Sequence, residues 1–215
     1  IEGSEKNIED AILVNSFFPL LLSRLGGELS YKLIHISTDC VFSGKKGNYS
    51  EYCYPDGVSV YARTKALGEF INQTDLIVRT SAIGPELKIE GNSLFSWFFR
   101  QKGEIRGFTQ AFWTGVTTLE LAKGIDSFIT QELSGIFHFV PNEKISKYEL
   151  LLLIKKVWGK KDVHICPHSD YKTDKSLINH RTDLVFSIKS YEEMLRELRE
   201  YIRFHQALYS ETQYS

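Results

Sequence analysis

The chain carries almost no net charge: 26 lysines and arginines against 27 aspartates and glutamates give a formal value of -1 over 215 residues. No block of like charge upsets that balance locally, and the densest basic stretch, Lys155-Lys156 with Lys160-Lys161, reads as the solvated end of a helix. An electrostatic grip on nucleic acid or on an anionic membrane is therefore not expected. Also lacking are an apolar run of the ~18 residues that a membrane span needs and a signal-peptide pattern at the N-terminus. Cysteine is sparse. Cys40, Cys53 and Cys166 form no close pair, which argues for a reducing compartment and leaves one disulfide open. The expectation is a cytoplasmic protein with neither nucleic-acid nor membrane partners. What is present, 42% hydrophobic and 25% charged residues, suits one sizeable core or two small ones.

Periodicity alternates between helix and strand. Residues 8 to 25 are helical, with Ile12, Leu13, Phe17, Leu20 and Leu21 forming the apolar face. Leu33 to Ile36 is a short buried strand ending at Ser37-Thr38-Asp39. A polar loop with Gly44, Gly47, Pro55 and Gly57 leads to a helix containing Tyr61 and Lys65, Leu76 to Val78 is the next strand, and Gly84-Pro85 breaks the chain. Strands separated by such helices imply parallel βαβ units, whose ligand sites lie beyond the carboxyl ends of the strands. Thr38 and Ser81 fall at such ends. Further on, Thr117-x-x-Glu120, Ser146-x-x-Glu149 and Ser190-x-x-Glu193 have capping-box spacing and open three helices. Gly135 to Val140 and Val163 to Ile165 are the strands between them. The domain division is expected near residue 85, with a second unit over 86–215 that returns some segments to the first.

Tyr61 and Lys65 stand four residues apart on one helix face. A free tyrosine holds its proton to about pH 10, and a neighbouring ammonium would favour the phenolate and bring proton transfer within reach. The histidines invite a metal site. His164, Cys166 and His168 alternate, as they would on one strand face, and imidazole with thiolate suits zinc. Pro167 should end that strand, however, and no fourth ligand is spaced nearby, so no metal is expected. His35, inside an apolar strand, is expected to be a satisfied core histidine.

Ile34-His35-Ile36-Ser37-Thr38-Asp39-Cys40-Val41-Phe42-Ser43-Gly44, then Tyr61-x-x-x-Lys65-x-x-Gly68-Glu69, then Arg79-Thr80-Ser81, resembles the extended short-chain dehydrogenase/reductase superfamily. Within it the chain is most similar to the dTDP-4-dehydrorhamnose reductase group, well over residues 10 to 125 and by architecture beyond. The resemblance implies an α/β fold: a Rossmann-like doubly wound parallel sheet, its N-terminal part missing, over 1–85, and a smaller α+β substrate domain over 86–215. It implies NADPH or NADH as cofactor and a 4-keto-6-deoxy nucleotide-sugar as substrate, reduced for surface polysaccharide precursor synthesis, in a protein that can form a homodimer.

Position by position, the resemblance makes Thr38 the hydroxyl that bonds the reacting oxygen and Tyr61 the proton donor. Lys65 becomes the residue that lowers the tyrosine pKa and holds the nicotinamide ribose, and Asn15 the support of a water-linked proton relay. It adds Ser37, Thr80 and Ser81 on the cofactor side and Asp39 on the substrate side. Ala82 stands where rhamnose-type reductases usually place a tryptophan, and Phe112 with Trp113 are the candidate replacement wall. Related dehydratases follow the threonine and aspartate with a glutamate; here Cys40 occupies that position, which disfavours dehydration. A 4-epimerase, and a non-catalytic nucleotide-binding regulatory subunit such as serves methionine adenosyltransferase, remain alternatives. The family's G-x-x-G-x-x-G pyrophosphate loop is absent from these residues. The resemblance puts it upstream of the position where the chain begins, within roughly seventy to eighty residues that complete the first βαβ units. These 215 residues alone are then expected to neither bind the cofactor tightly nor turn over substrate.

Overall fold

A computed structural model describes residues 2–87, 93–209 and 214; residues 88–92, beside the expected domain boundary, lie outside the described residues. After a short α1 (Glu2–Lys6), a nearly straight helical run spans Ile8–Leu29 as α2 (Ile8–Ile12), a π-helical stretch (Leu13–Phe17) and α3 (Phe18–Leu29). Asn7 caps its start by accepting from the Asp10 amide at 3.2 Å, and Ser30 ends it in the left-handed conformation at φ 60°. Of the expected apolar face, Ile12, Leu13 and Phe17 are 45% to 55% exposed, and Leu20 and Leu21 are half-buried. The buried stripe is instead Ala11, Ser16, Pro19, Ser23 and Gly26, spaced three to five residues apart. Small residues allow close approach to the neighbouring helix. There the Ser16 hydroxyl donates to the Thr64 carbonyl at 2.8 Å, and the Asn72 amide donates to Ser23 at 2.9 Å. By length and composition this 22-residue helix also meets the requirement for crossing a membrane, contrary to the expectation of no such stretch, because its small polar residues barely lower the mean hydropathy.

The parallel sheet runs β1-β2-β6, where β1 is Ile34–Thr38, β2 Leu76–Thr80 and β6 Gly135–His138. In register, Thr38 pairs with Thr80 and Arg79 with His138, so the carboxyl ends of the strands align. Central β2 is buried throughout, whereas outer β1 is mostly half-buried. His35 sits on β1 with its Nε2 buried and without a partner among the described residues, so it is not the satisfied histidine expected; burial pushes its pKa down to about 4. The short β3 (Ala82–Ile83) pairs with β5 (Val116–Thr117) and connects to a second sheet, β7-β4-β8.

In that second sheet β4 (Gly103–Trp113) is parallel to β8 (Val163–Asp174), and β7 (Ile145–Ser146) is antiparallel to β4. The Gly107↔Pro167 pair is followed by Phe108↔His168 before the register shifts ahead of Gln110↔Lys172, so Pro167 does not end the strand. Its missing amide is tolerated because β8 is an outer strand. Helices α4 (Val60–Leu67), α5 (Leu94–Arg100), α6 (Thr118–Thr130), α7 (Lys147–Trp158) and α8 (Tyr191–Phe204) complete the order. Ser146/Glu149 and Ser190/Glu193 form reciprocal capping boxes. Thr117 accepts from the Glu120 amide, but the Glu120 carboxylate accepts from the Lys189 amide at 3.2 Å, so only half of that box exists. The main core joins Phe95 and Phe98 of α5, Leu150, Leu151, Ile154 and Trp158 of α7, and Leu195, Leu198 and Ile202 of α8.

Loop 43–57 is tied back to the end of β8. The Asp174 amide donates to the Gly44 carbonyl at 2.7 Å and the Tyr49 amide to that of Ser176 at 2.9 Å. Gly47 has φ +70°, and a Cβ there would lie 2.4 Å from the Asp174 carboxylate, so both conformation and contact demand glycine.

Candidate active site

Strand β1 ends at Thr38, whose hydroxyl accepts from the Cys40 amide at 3.1 Å and donates to Asp39 at 3.2 Å, opening a single 3-10 turn over Asp39–Val41. The facing helix α4 is capped by Ser59, which accepts from the Ala62 amide at 3.1 Å, and this start sets Tyr61 in the first turn and Lys65 one turn later. The nearby Thr38 hydroxyl favours the Tyr61 phenolate. Burial is the larger effect, and with the nearby Cys40 and Asp39 it pushes the Tyr61 pKa up. The lowering expected from Lys65 is absent from this arrangement. The Lys65 ammonium donates to the Ile36 carbonyl at 2.9 Å, so its charge is directed at strand β1 and not at the phenol. Burial lowers the pKa of Lys65 itself, with Glu69 opposing.

Asn15 lies in the π-helical stretch, a distortion common at functional sites. Its amide donates to the Thr64 hydroxyl at 3.1 Å, which in turn donates to the Val60 carbonyl at 2.8 Å; Lys65 is not among its partners. Gly68 permits this approach, since a Cβ there would lie 2.0 Å from the Asn15 carbonyl oxygen. Two of the residues expected on the cofactor side have committed hydroxyls. Ser37 donates to Glu69 at 2.5 Å, in a buried network where Glu69 also holds the 2%-exposed Arg79 at 2.6 and 2.9 Å. Thr80 donates to the Phe139 carbonyl at 2.7 Å.

Ser81 instead lines a cleft of about 370 Å³ together with Asp39, Cys40, Phe112 and Trp113. Trp113 belongs simultaneously to the main core. Asp39 is buried, and burial raises its pKa, with Lys147 and Lys175 opposing. A larger cavity of about 520 Å³ meets another face of α4 through Arg63, Ala66 and Leu67, and neither Tyr61 nor Lys65 lines it.

The same cleft receives Arg106, Phe108, Lys147, Tyr171 and Lys175, none of which was singled out from sequence. Lys147 packs its ammonium over the Trp113 ring at 4.8 Å, and burial lowers its pKa while Asp39 raises it. A signal for it existed: Lys147 is the first residue of a helix, where the dipole disfavours a cation. The site thus places a tyrosine hydroxyl near a threonine hydroxyl at the carboxyl end of a parallel strand, with the Lys65 ammonium held on that strand. Asp39 and Cys40, which act on Tyr61, line the neighbouring cleft with its aromatic walls and cationic groups, whereas Thr38, Tyr61 and Lys65 themselves do not. That chemistry suits proton delivery to an oxygen that gains negative charge.

Residues 1–178 match the family model described as RmlD substrate binding domain. Methionine adenosyltransferase 2 subunit beta of Rattus norvegicus is 26% identical over 153 residues, covering 64% of this chain and 45% of that protein. The dTDP-4-keto-6-deoxy-D-glucose reductase of Streptomyces niveus is 27% identical over 158 residues, covering 69% of this chain and 54% of that protein. The chain thus spans about half the length of these relatives. In fold it resembles the dTDP-4-dehydrorhamnose reductase of Bacillus anthracis, solved in complex with NADP, with a TM-score of 0.81 at 23% identity over 93% of this chain and 76% of that one.

Proposed function

The chain belongs to the RmlD substrate binding domain family, and from that premise we propose that it serves NAD(P)H-dependent reduction of a 4-keto-6-deoxy nucleotide-sugar, of the dTDP-4-dehydrorhamnose kind, in surface polysaccharide precursor synthesis. The observation that supports this is the nearness of Tyr61 to Thr38, Asp39 and Cys40 at the end of β1, with Lys65 held on the Ile36 carbonyl of the same strand and Asp39 also lining a cleft with Ser81, Phe112 and Trp113. Tyr61 delivers the proton to the keto oxygen, Thr38 donates to the same oxygen, and Phe112 with Trp113 forms a wall for the sugar. Residues 1–85 carry the cofactor side and 86–215 mainly the substrate side. Lys65 and Ser81 would hold the nicotinamide and its ribose, and NADPH or NADH would supply hydride when bound. These residues offer no glycine-rich cradle for the pyrophosphate. Asn15 acts through Thr64, as a positioning residue for α4. Ser37 and Thr80 contribute through backbone position at the strand ends, their hydroxyls being engaged elsewhere. The proposal takes the protein to be cytoplasmic and homodimeric, the latter open to sedimentation.

The test is cofactor oxidation with a dTDP-4-keto-6-deoxy-hexose, using the product of the complete reading frame. Tyr61→Phe is expected to reduce the rate about a hundredfold or more without lowering the melting temperature. Wild-type turnover by that variant, or sugar conversion without net cofactor oxidation, would overturn the assignment; the second result would identify an epimerase.

A further inference from the structure

Next to Arg106 of the cleft lining, and outside the cleft itself, the paired strands β4 and β8 bring three different metal-ligating side chains together. Glu104 lies directly opposite His164 in the parallel ladder, and Cys166 is the next residue on the same face of β8. A carboxylate oxygen of Glu104, a ring nitrogen of His164 and the Cys166 sulfur all fall within 4.8 Å of one another. Around a tetrahedral ion such donors stand roughly 3.5 Å apart. Small rotamer changes in these side chains, two of them exposed, would close that difference.

The neighbours favour the cluster. Arg106 shares the face, but its guanidinium is paired with Asp170 at 3.6 Å, further along β8. His168, which sequence spacing grouped with His164 and Cys166, leans on the same Asp170 at 3.9 Å. The third donor is therefore Glu104 from the adjacent strand, which linear spacing cannot reveal. Because Pro167 does not interrupt β8, the two residues flanking it keep the alternation that a shared face requires.

We propose that Glu104, His164 and Cys166 form a surface site for a divalent transition metal of the zinc type, with water completing the tetrahedron. Thiolate and imidazole select zinc, cobalt or copper over magnesium and calcium, which take oxygen ligands. On binding, the Cys166 sulfur forms the metal bond and its proton passes to solvent, so affinity falls as pH is lowered. The ion bridges the amino-terminal ends of β4 and β8 and pins their register.

Cobalt(II) titration of the purified protein is expected to produce a thiolate-to-metal charge-transfer band at one equivalent. The band disappears in Cys166→Ser and persists in Cys40→Ser and Cys53→Ser. Competition against a chromophoric chelator should show zinc binding weakened at least about tenfold by His164→Ala and by Glu104→Gln. Zinc should raise the melting temperature of the wild type and not that of Cys166→Ser, and equal melts without metal establish that the variants fold. Absence of the band, its survival in Cys166→Ser, or zinc affinity left unchanged by His164→Ala would overturn the proposal.

Discussion

Helices α3 and α7 are each twelve residues long and comparably apolar to the eye, yet they solve opposite packing problems. α7 turns Leu150, Leu151, Ile154, Val157 and Trp158 into the main core, where aromatic rings of α5 meet them: Phe95 lies 5.2 Å from Trp158 edge to face. The run containing α3 buries a narrow stripe of small residues and leaves its large apolar side chains exposed, as Leu13, Val14, Phe17 and Phe18 are, or half-buried, as Leu20, Leu21, Leu22 and Leu25 are, beside a strand, β1, with one partner among the described residues. Apolar periodicity therefore identifies a stripe but not what covers it. The difference also divides the chemistry, because Thr38, Tyr61 and Lys65 stand on the lightly packed side, whereas Phe112 and Trp113 of the cleft wall project from the densely packed one.

The sharpest way to break this comparison is truncation on both sides. Phe98→Ala, at a fully buried α5 position, is expected to cost about 3 to 5 kcal/mol in denaturant unfolding. Leu13→Ala, on the exposed stripe, should cost under about 0.5 kcal/mol. A large loss from Leu13→Ala would show that the stripe is covered in solution.

Acid should distinguish the two regions next. His35 on β1 and His138 on β6 both belong to the parallel sheet, and burial lowers each pKa from 6.5 to about 4. Between those values the unfolded chain binds more protons than the folded one. The stabilisation is therefore complete above about pH 6.5 and is lost as pH falls towards 4. For the fully buried His138 the loss by pH 4.5 is on the order of 2 kcal/mol. All three tryptophans, Trp97, Trp113 and Trp158, lie in or against the main core, so their fluorescence reports that region alone. Acid titration should change amide exchange in β1 and β6 before it changes tryptophan emission. Coincident transitions would mean that the regions unfold as one unit, and an unaltered pH slope in His138→Gln would remove that histidine from the account.

The smallest effect concerns the caps. Ser146→Ala should lower stability by about 1 kcal/mol, since it removes the bond from the Glu149 amide and the hydroxyl's own bond to the Glu149 carboxylate. Thr117→Ala should cost less than that, because Glu120 keeps its bond to the Lys189 amide. Equal losses would show that the hydroxyl's bond to the Glu149 carboxylate adds nothing.

Much of the fold was legible because its signals are local. Ser-x-x-Glu marks the starts of α7 and α8, and the unbroken apolar triplet Leu76-Ile77-Val78 marks a strand buried on both faces. β4 escaped notice because Gly103, Gly107 and the polar residues between them hide its alternation; only Ile105, Ala111 and Trp113 show the buried side. The spacing of Tyr61 and Lys65 follows from helix geometry, so their adjacency could be read directly. The direction of the Lys65 ammonium could not, because a four-carbon chain chooses its partner from tertiary surroundings, here the Ile36 carbonyl. Lys147, Arg106 and Lys175 reach the cleft from segments far apart in sequence, which no local pattern could assemble.

Pro167 has a consequence beyond its own strand. β8 is twelve residues long and lies at the margin of its sheet, the geometry that invites another chain to add itself by backbone pairing. The pairing with β4 continues through Pro167 to His168, as expected of a proline whose missing amide would have faced outward on an outer strand. One imino acid thereby removes a hydrogen-bond donor from the open margin without weakening the sheet behind it. A margin with one donor fewer is a poorer template for another strand, and the residue responsible is the one that looked, in the linear sequence, like the end of the strand.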